Sequence, residues 1–138
     1  MPNQKISGSG FHHVAIRTHN FEQSIRFYTE ALGFVQKIAW GEVPARAVML
    51  DTGDGNYLEI FEREGVAGET TGEANILHFA LRCDDCVAAT EVARAAGAKV
   101  TLEPTVPGVF TNLGLKTKIS FVLGPDGEIV EFFESNDL

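Results

Sequence analysis

Apolar and polar positions alternate along several short stretches of this chain, and the period lengthens to a helical one only twice. Residues 11–17 (FHHVAIR) are rich in β-formers and predict a strand. From Phe21 onward, apolar side chains fall at Phe21, Ile25, Tyr28 and Leu32, with Phe27 and Ala31 beside them. That spacing predicts a helix over residues 21–32, capped by Asn20 and stopped by Gly33. Residues 34–40, 45–51 and 57–62 predict three strands, with turns at 41–44 and 53–56. Residues 64–72 (EGVAGETTG) are small and polar and read as a linker. The pattern then restarts. A strand is predicted at 76–82 (ILHFALR), a helix at 87–96 ended by Gly97, and a strand at 99–103. Two more strands, at 117–123 and 128–134, flank a turn at 124–127. Residues 104–116 read as a long Gly/Pro-containing loop, of a length that is often functional in a compact domain.

The restart is a repeat of sequence as well as of pattern. Residues 54–62 read DGNYLEIFE and residues 126–134 read DGEIVEFFE, identical at five of nine positions. The opening strands match too, HVAIR at 13–17 against HFALR at 78–82. A β-α-β-β-β unit written twice gives an α+β fold. Its first module spans 11–64, its linker 65–73 and its second module 74–135, all within a single domain over 11–138.

Composition narrows the function classes. At 44% hydrophobic and 22% charged, the 138 residues suit one ordinary globular domain. The first ten residues are polar and Gly/Ser-rich and are expected to form a disordered tail. The net charge of −8 argues against a nucleic-acid partner, while leaving a small anionic substrate open, because local pocket charge outweighs the sum. No apolar run approaches the ~20 residues of a membrane span, and no signal-peptide core precedes the first strand. A cytoplasmic protein without a membrane partner is the expectation. Cys83 and Cys86 stand as CDDC. The spacing invites a redox or zinc reading, but zinc wants about four ligands and there is no second cysteine pair. Asp84 and Asp85 should raise a thiol pKa, so two inert free thiols in a reducing compartment are expected.

The candidate chemistry lies in the repeated strands. Alternate strand residues share a face. His13 lies with Phe11, Ala15 and Arg17, and Glu59 with Tyr57 and Phe61. His78 lies with Ile76, Ala80 and Arg82, and Glu131 with Ile129 and Phe133. A glutamate among apolar neighbours is costly unless paired or coordinated. Singly, a strand histidine is ordinarily a surface or core residue, and a strand glutamate is ordinarily solvated. The repeat places both at equivalent positions twice. It also chooses His13 over His12, because only His13 aligns with His78 when Ala15 meets Ala80 and Arg17 meets Arg82. Imidazole and carboxylate suit Zn²⁺, Ni²⁺, Co²⁺, Fe²⁺ or Mn²⁺. His13, Glu59, His78 and Glu131 are thus the candidate ligands of one divalent ion. Glu62 and Glu134 also repeat but point to the other face at strand ends, and are read as solvated. His19 is assigned no role.

Five stretches carry a family resemblance: His13-Val-Ala-Ile, Ser24-Ile-Arg-Phe-Tyr28 running to Leu32-Gly33-Phe34, Leu58-Glu59-Ile60, His78-Phe-Ala-Leu, and Gly124-Pro-Asp-Gly followed by Val130-Glu131-Phe132. Together the chain resembles the vicinal oxygen chelate superfamily of glyoxalase I, methylmalonyl-CoA epimerase, extradiol dioxygenases and the fosfomycin and bleomycin resistance proteins. The resemblance implies two βαβββ modules forming a half-open mixed β-barrel, and a homodimer. It matches His13, Glu59, His78 and Glu131 to the four metal positions of glyoxalase I. It further implies a metal-dependent lyase or isomerase that moves a proton through a metal-bound enediolate, with Glu131 or Glu59 as the catalytic carboxylate. An epimerase, an extradiol dioxygenase and a non-catalytic drug-binding protein are the alternatives. Arg17, Arg63 and Lys116 are the candidate substrate-binding residues and glutathione the candidate co-substrate. Arg63 stands where glyoxalase I has an asparagine, and no arginine precedes His78 as it does there. Lys116 and Lys118 roughly match a later basic pair. Trp40, Phe110 and Leu115 could line an apolar pocket, although such residues more often serve packing.

Overall fold

Each alternating stretch becomes a strand in the computed structural model, which describes residues 2–31, 33–63, 76–124 and 129–138. The expected linker and most of the expected 124–127 turn lie outside the described residues. In order, the elements are β1 (Gly10–Thr18), α1 (Phe21–Arg26), β2 (Val35–Trp40), β3 (Ala47–Asp51), β4 (Tyr57–Glu62), β5 (Ile76–Arg82), α2 (Cys86–Ala95), β6 (Lys99–Thr105), α3 (Gly108–Asn112), β7 (Thr117–Leu123) and β8 (Ile129–Ser135). The chain divides into two units, residues 13–77 and residues 1–12 with 78–138. Among the described residues, no helix is long and apolar enough to cross a membrane.

In the unit of residues 13–77, the strands lie in the order β2-β3-β4-β1. β1 runs parallel to β4, and β3 is antiparallel to both β2 and β4. Asn20 caps α1 as expected, its Oδ1 accepting the Gln23 N–H at 3.1 Å. The helix then widens into one π-helical turn, Phe27–Ala31, where the Thr29 hydroxyl donates to the Ile25 carbonyl at 2.8 Å. Gly33, at φ 78°, ends it with the Phe34 N–H bonded back to the Tyr28 carbonyl. α1 covers one sheet face, where Phe21, Val48, Leu50 and Ile60 form the core with Ile16, Ile25 and Leu58. The residues between these along each strand, Ala15, Met49 and Glu59, therefore point to the opposite face.

The second unit repeats the plan. Its order is β5-β8-β7-β6, with β5 parallel to β8 and β7 antiparallel to both β6 and β8. Asp85 caps α2, accepting the Ala88 N–H at 2.9 Å, and Gly97 follows its end at φ 91°. Cys86 and Ala89 of α2 form a core with Cys83, Val122 and Phe132, packed by Leu81, Val100 and Val130.

Two expectations change. The loop predicted over 104–116 is shorter. β6 runs through Pro104 to Thr105, tolerable because β6 is the last strand of the order and Pro104 needs no ladder N–H on that side. α3 then forms a single turn whose Phe110 is buried against Phe133, ring centroids 5.9 Å apart. Residues 2–9, expected as a loose tail, make defined contacts. Asn3 Oδ1 accepts the N–H groups of Lys5 and Ile6, and the Ser7 carbonyl accepts the Asp84 N–H at 2.9 Å.

Candidate metal centre

The parallel strand pairs carry the candidate ligands, and their register is the same in both units. In the first, Ala15 stands opposite Glu59, Ile16 opposite Ile60 and Arg17 opposite Phe61. In the second, Ala80 stands opposite Glu131, Leu81 opposite Phe132 and Arg82 opposite Phe133. Each glutamate is flanked by a fully buried alanine on one side. On the other it meets Met49 in the first unit and Phe121 in the second. A methyl side chain leaves space beside the carboxylate, and the histidine two residues before each alanine fills it. His13 Nε2 lies 3.1 Å from Glu59 Oε2, and His78 Nε2 lies 2.9 Å from Glu131 Oε2. Glu59 and Glu131 are each only 4% exposed.

Burying a carboxylate and an imidazole together is expensive unless their charges are compensated. Two donors in adjacent positions around an ion, each ~2.1 Å from it, are ~3 Å apart. Both measured separations suit that spacing, and the oxygen–nitrogen donor set suits a borderline divalent metal. His78 also faces the Phe121 ring at 5.6 Å, an aromatic wall on the second pair.

The remaining candidates lie on several elements. Arg17 lies on the His13 side of β1, and Arg63 follows β4, its N–H donating to the Thr18 carbonyl at 2.8 Å. Lys116 lines a cavity of about 450 Å³ with Leu115, Lys118, Thr111 and Ser135, and neither His78 nor Glu131 is in that lining. Trp40 meets Phe61 edge-to-face at 6.0 Å, while Phe110 serves packing. His12 is buried and stacked on Phe133, ring centroids 3.9 Å apart.

The two repeated glutamates read as solvated are engaged instead. Glu62 takes a forked pair of bonds from Arg46, at 2.8 and 2.6 Å, and Arg46 also reaches Glu22 at 2.6 Å. The Arg46 guanidinium holds the Glu62 carboxyl below its ordinary range. Glu134 accepts the Cys86 N–H at 2.8 Å, at the start of α2. The partners are Arg46, just before β3, and the first residue of α2, and no local pattern around either glutamate announces them.

A family model, the Glyoxalase/Bleomycin resistance protein/Dioxygenase superfamily, matches residues 10–132. The chain belongs to this superfamily. This glyoxalase-superfamily chain is 32% identical over 128 residues to a probable lactoylglutathione lyase of Vibrio cholerae, covering 89% of the chain and 88% of the relative. It is 31% identical over 131 residues to the lactoylglutathione lyase of Haemophilus influenzae, covering 89% and 90%. Among solved structures it resembles a methylmalonyl-CoA epimerase from Mycobacterium tuberculosis, with a TM-score of 0.75 at 18% identity over 98% of this chain and 93% of the other. That likeness establishes the fold: the glyoxalase-superfamily arrangement implied by the doubled βαβββ sequence.

Proposed function

We propose that this protein is a metal-dependent, glyoxalase-I-like lyase or isomerase acting on a small molecule with two adjacent oxygens. The observation that carries the reading is the pair of His–Glu contacts at one shared strand register. Each unit brings one histidine and one glutamate together, and in this reading His13, Glu59, His78 and Glu131 are the ligands of one divalent ion. The relatives named lactoylglutathione lyase support the same reaction class. Bound there, the metal supplies Lewis acidity toward a substrate oxygen.

The chain's own groups do the rest. His13 and His78 hold their donor nitrogens against the glutamates. Glu131, or Glu59 by the symmetry of the repeat, removes a proton from one carbon and returns it to its neighbour. Met49 and Phe121, beside the two carboxylates, keep water from the proton in transit. Arg17, on the His13 side of β1, binds the anionic part of the substrate, with glutathione as the thiol co-substrate. The active form is a homodimer.

The test is elemental analysis of the purified protein, then assay with methylglyoxal and glutathione after reconstitution with Ni²⁺, Co²⁺, Zn²⁺, Mn²⁺ or Fe²⁺. About one ion per site with turnover is expected. Metal without turnover overturns the glyoxalase reaction and moves the substrate to acyl-CoA thioesters or catechols. No metal under any reconstitution overturns the site.

A further inference from the structure

The second unit holds two thiols that the proposed reaction does not use. Cys83 follows β5 by one residue, and its N–H donates to the Phe133 carbonyl at 3.1 Å. Cys86 is the first residue of α2. Both are free and buried in one cluster. Two cysteines kept only as small apolar fillers would be surrounded by apolar atoms. Here the Cys86 sulfur lies 3.5 Å from the Ser120 hydroxyl, and Ser120 lies 2.7 Å from the Thr90 hydroxyl. Ser120 and Thr90 are fully buried. Thr90 commits its own proton to the Cys86 carbonyl at 2.6 Å. The Ser120 hydroxyl is therefore a rotor that accepts from a Cys86 thiol and turns to donate to a Cys86 thiolate. The helix start adds its positive end.

We propose that Cys83 and Cys86 form a redox-active dithiol, which a hydroperoxide converts to an intramolecular disulfide. The Cys86 thiolate attacks one peroxide oxygen, an S–O bond forms, the O–O bond breaks, and the departing oxygen leaves as water after taking up a proton. The Cys83 sulfur then attacks the Cys86 sulfur, an S–S bond forms, the S–O bond breaks, and hydroxide leaves with the Cys83 proton as a second water. Two thiols and one hydroperoxide thus give one disulfide and two waters when the peroxide is hydrogen peroxide. The acidity of the pair is divided accordingly. The hydrogen bond from Cys83, aided by Ser120 and Thr90, holds the Cys86 thiol below its ordinary value, while the same bond and burial push Cys83 up. The expected uniform rise from Asp84 and Asp85 does not hold for Cys86, because these closer bonds outweigh it.

The N-terminal segment packs over the cysteine cluster. Ile6 packs on the cysteine cluster, and the Ser7 hydroxyl donates to Asp84 Oδ2 at 2.5 Å. Gly8, at φ 70°, lies so close that a Cβ there would overlap the Asp84 carboxylate. Few bonds hold this strap, so local opening admits a molecule as small as peroxide without global unfolding.

The experiment treats the full native chain with one equivalent of hydrogen peroxide, then unfolds it in the presence of a thiol alkylator and records intact and peptide masses. A Cys83–Cys86 disulfide that dithiothreitol reverses is expected. In Cys83→Ser the reaction should stop at a dimedone-trappable sulfenic acid on Cys86, and Ser7→Ala should speed oxidation of the native protein about five-fold. Two fully alkylated thiols after treatment of the native wild-type chain, or a disulfide only between chains, overturns the proposal, and neither result needs a variant to fold. An unchanged rate in Ser7→Ala overturns the strap as its gate. The readouts are thiol titre and mass, so the result is independent of the metal centre.

Discussion

At the scale of single residues, what matters is whether a charged side chain has its partner. His78 contributes a donor nitrogen beside Glu131, and replacing it with alanine leaves that carboxylate buried without it. His78→Ala should lower metal affinity at least as much as the about 10- to 100-fold that losses in a supporting shell cause, as read by elemental analysis after dialysis. Glu62 gives a pH prediction. Arg46 first of all, through its side-chain bonds, depresses the Glu62 pKa in the folded state. A depressed carboxylate contributes stability that is fully present above the unfolded value of about 4.3 and is lost as pH falls through the lower folded value. Glu62→Gln should therefore be less stable at neutral pH and lose less stability on acidification, in denaturant titrations between about pH 2 and 6. The His–Glu contacts were legible because the sequence repeats them and strand alternation fixes their faces. Glu62 and Glu134 repeat as well, yet their roles were hidden. Arg46 and the Cys86 amide reach them from elsewhere in the chain, and alternation says nothing about which distant group will arrive. His12 was hidden likewise, because its stacking on Phe133 depends on a strand more than a hundred residues away.

At the scale of elements, strand register does the positioning. Ala15 and Ala80 hold the places opposite Glu59 and Glu131, and their small size is what lets each imidazole reach its carboxylate. Ala80→Leu should cost about 1–3 kcal/mol in overpacking. It should also push His78 from Glu131 and abolish metal uptake while circular dichroism stays native, and retention of full metal content would show that the alanine has no such role. Strands and long helices were readable because each imposes a period over many residues. α3 was not, because five residues are too few to show one, and its turn depends on Phe110 finding Phe133. The π-helical turn after α1 was equally invisible, since its apolar spacing matches an α-helix to within a residue.

At the scale of the whole molecule, the doubling of one module is the organising fact, and the two units agree in strand order, pairing sense and register. If the active form is a homodimer, light scattering should return twice the 15.0 kDa chain mass, and a monomer at assay concentration that turns over substrate would remove assembly from the proposal. The closing strand of each unit is parallel to its first, so β4 reaches β1, and β8 reaches β5, only after a helix and two further strands have been laid down. Such pairings have high contact order and form late, because the loop they close must first lose its freedom. A chain still leaving the ribosome therefore lacks both His–Glu pairs, and the donors of each come together only when its own half has finished folding.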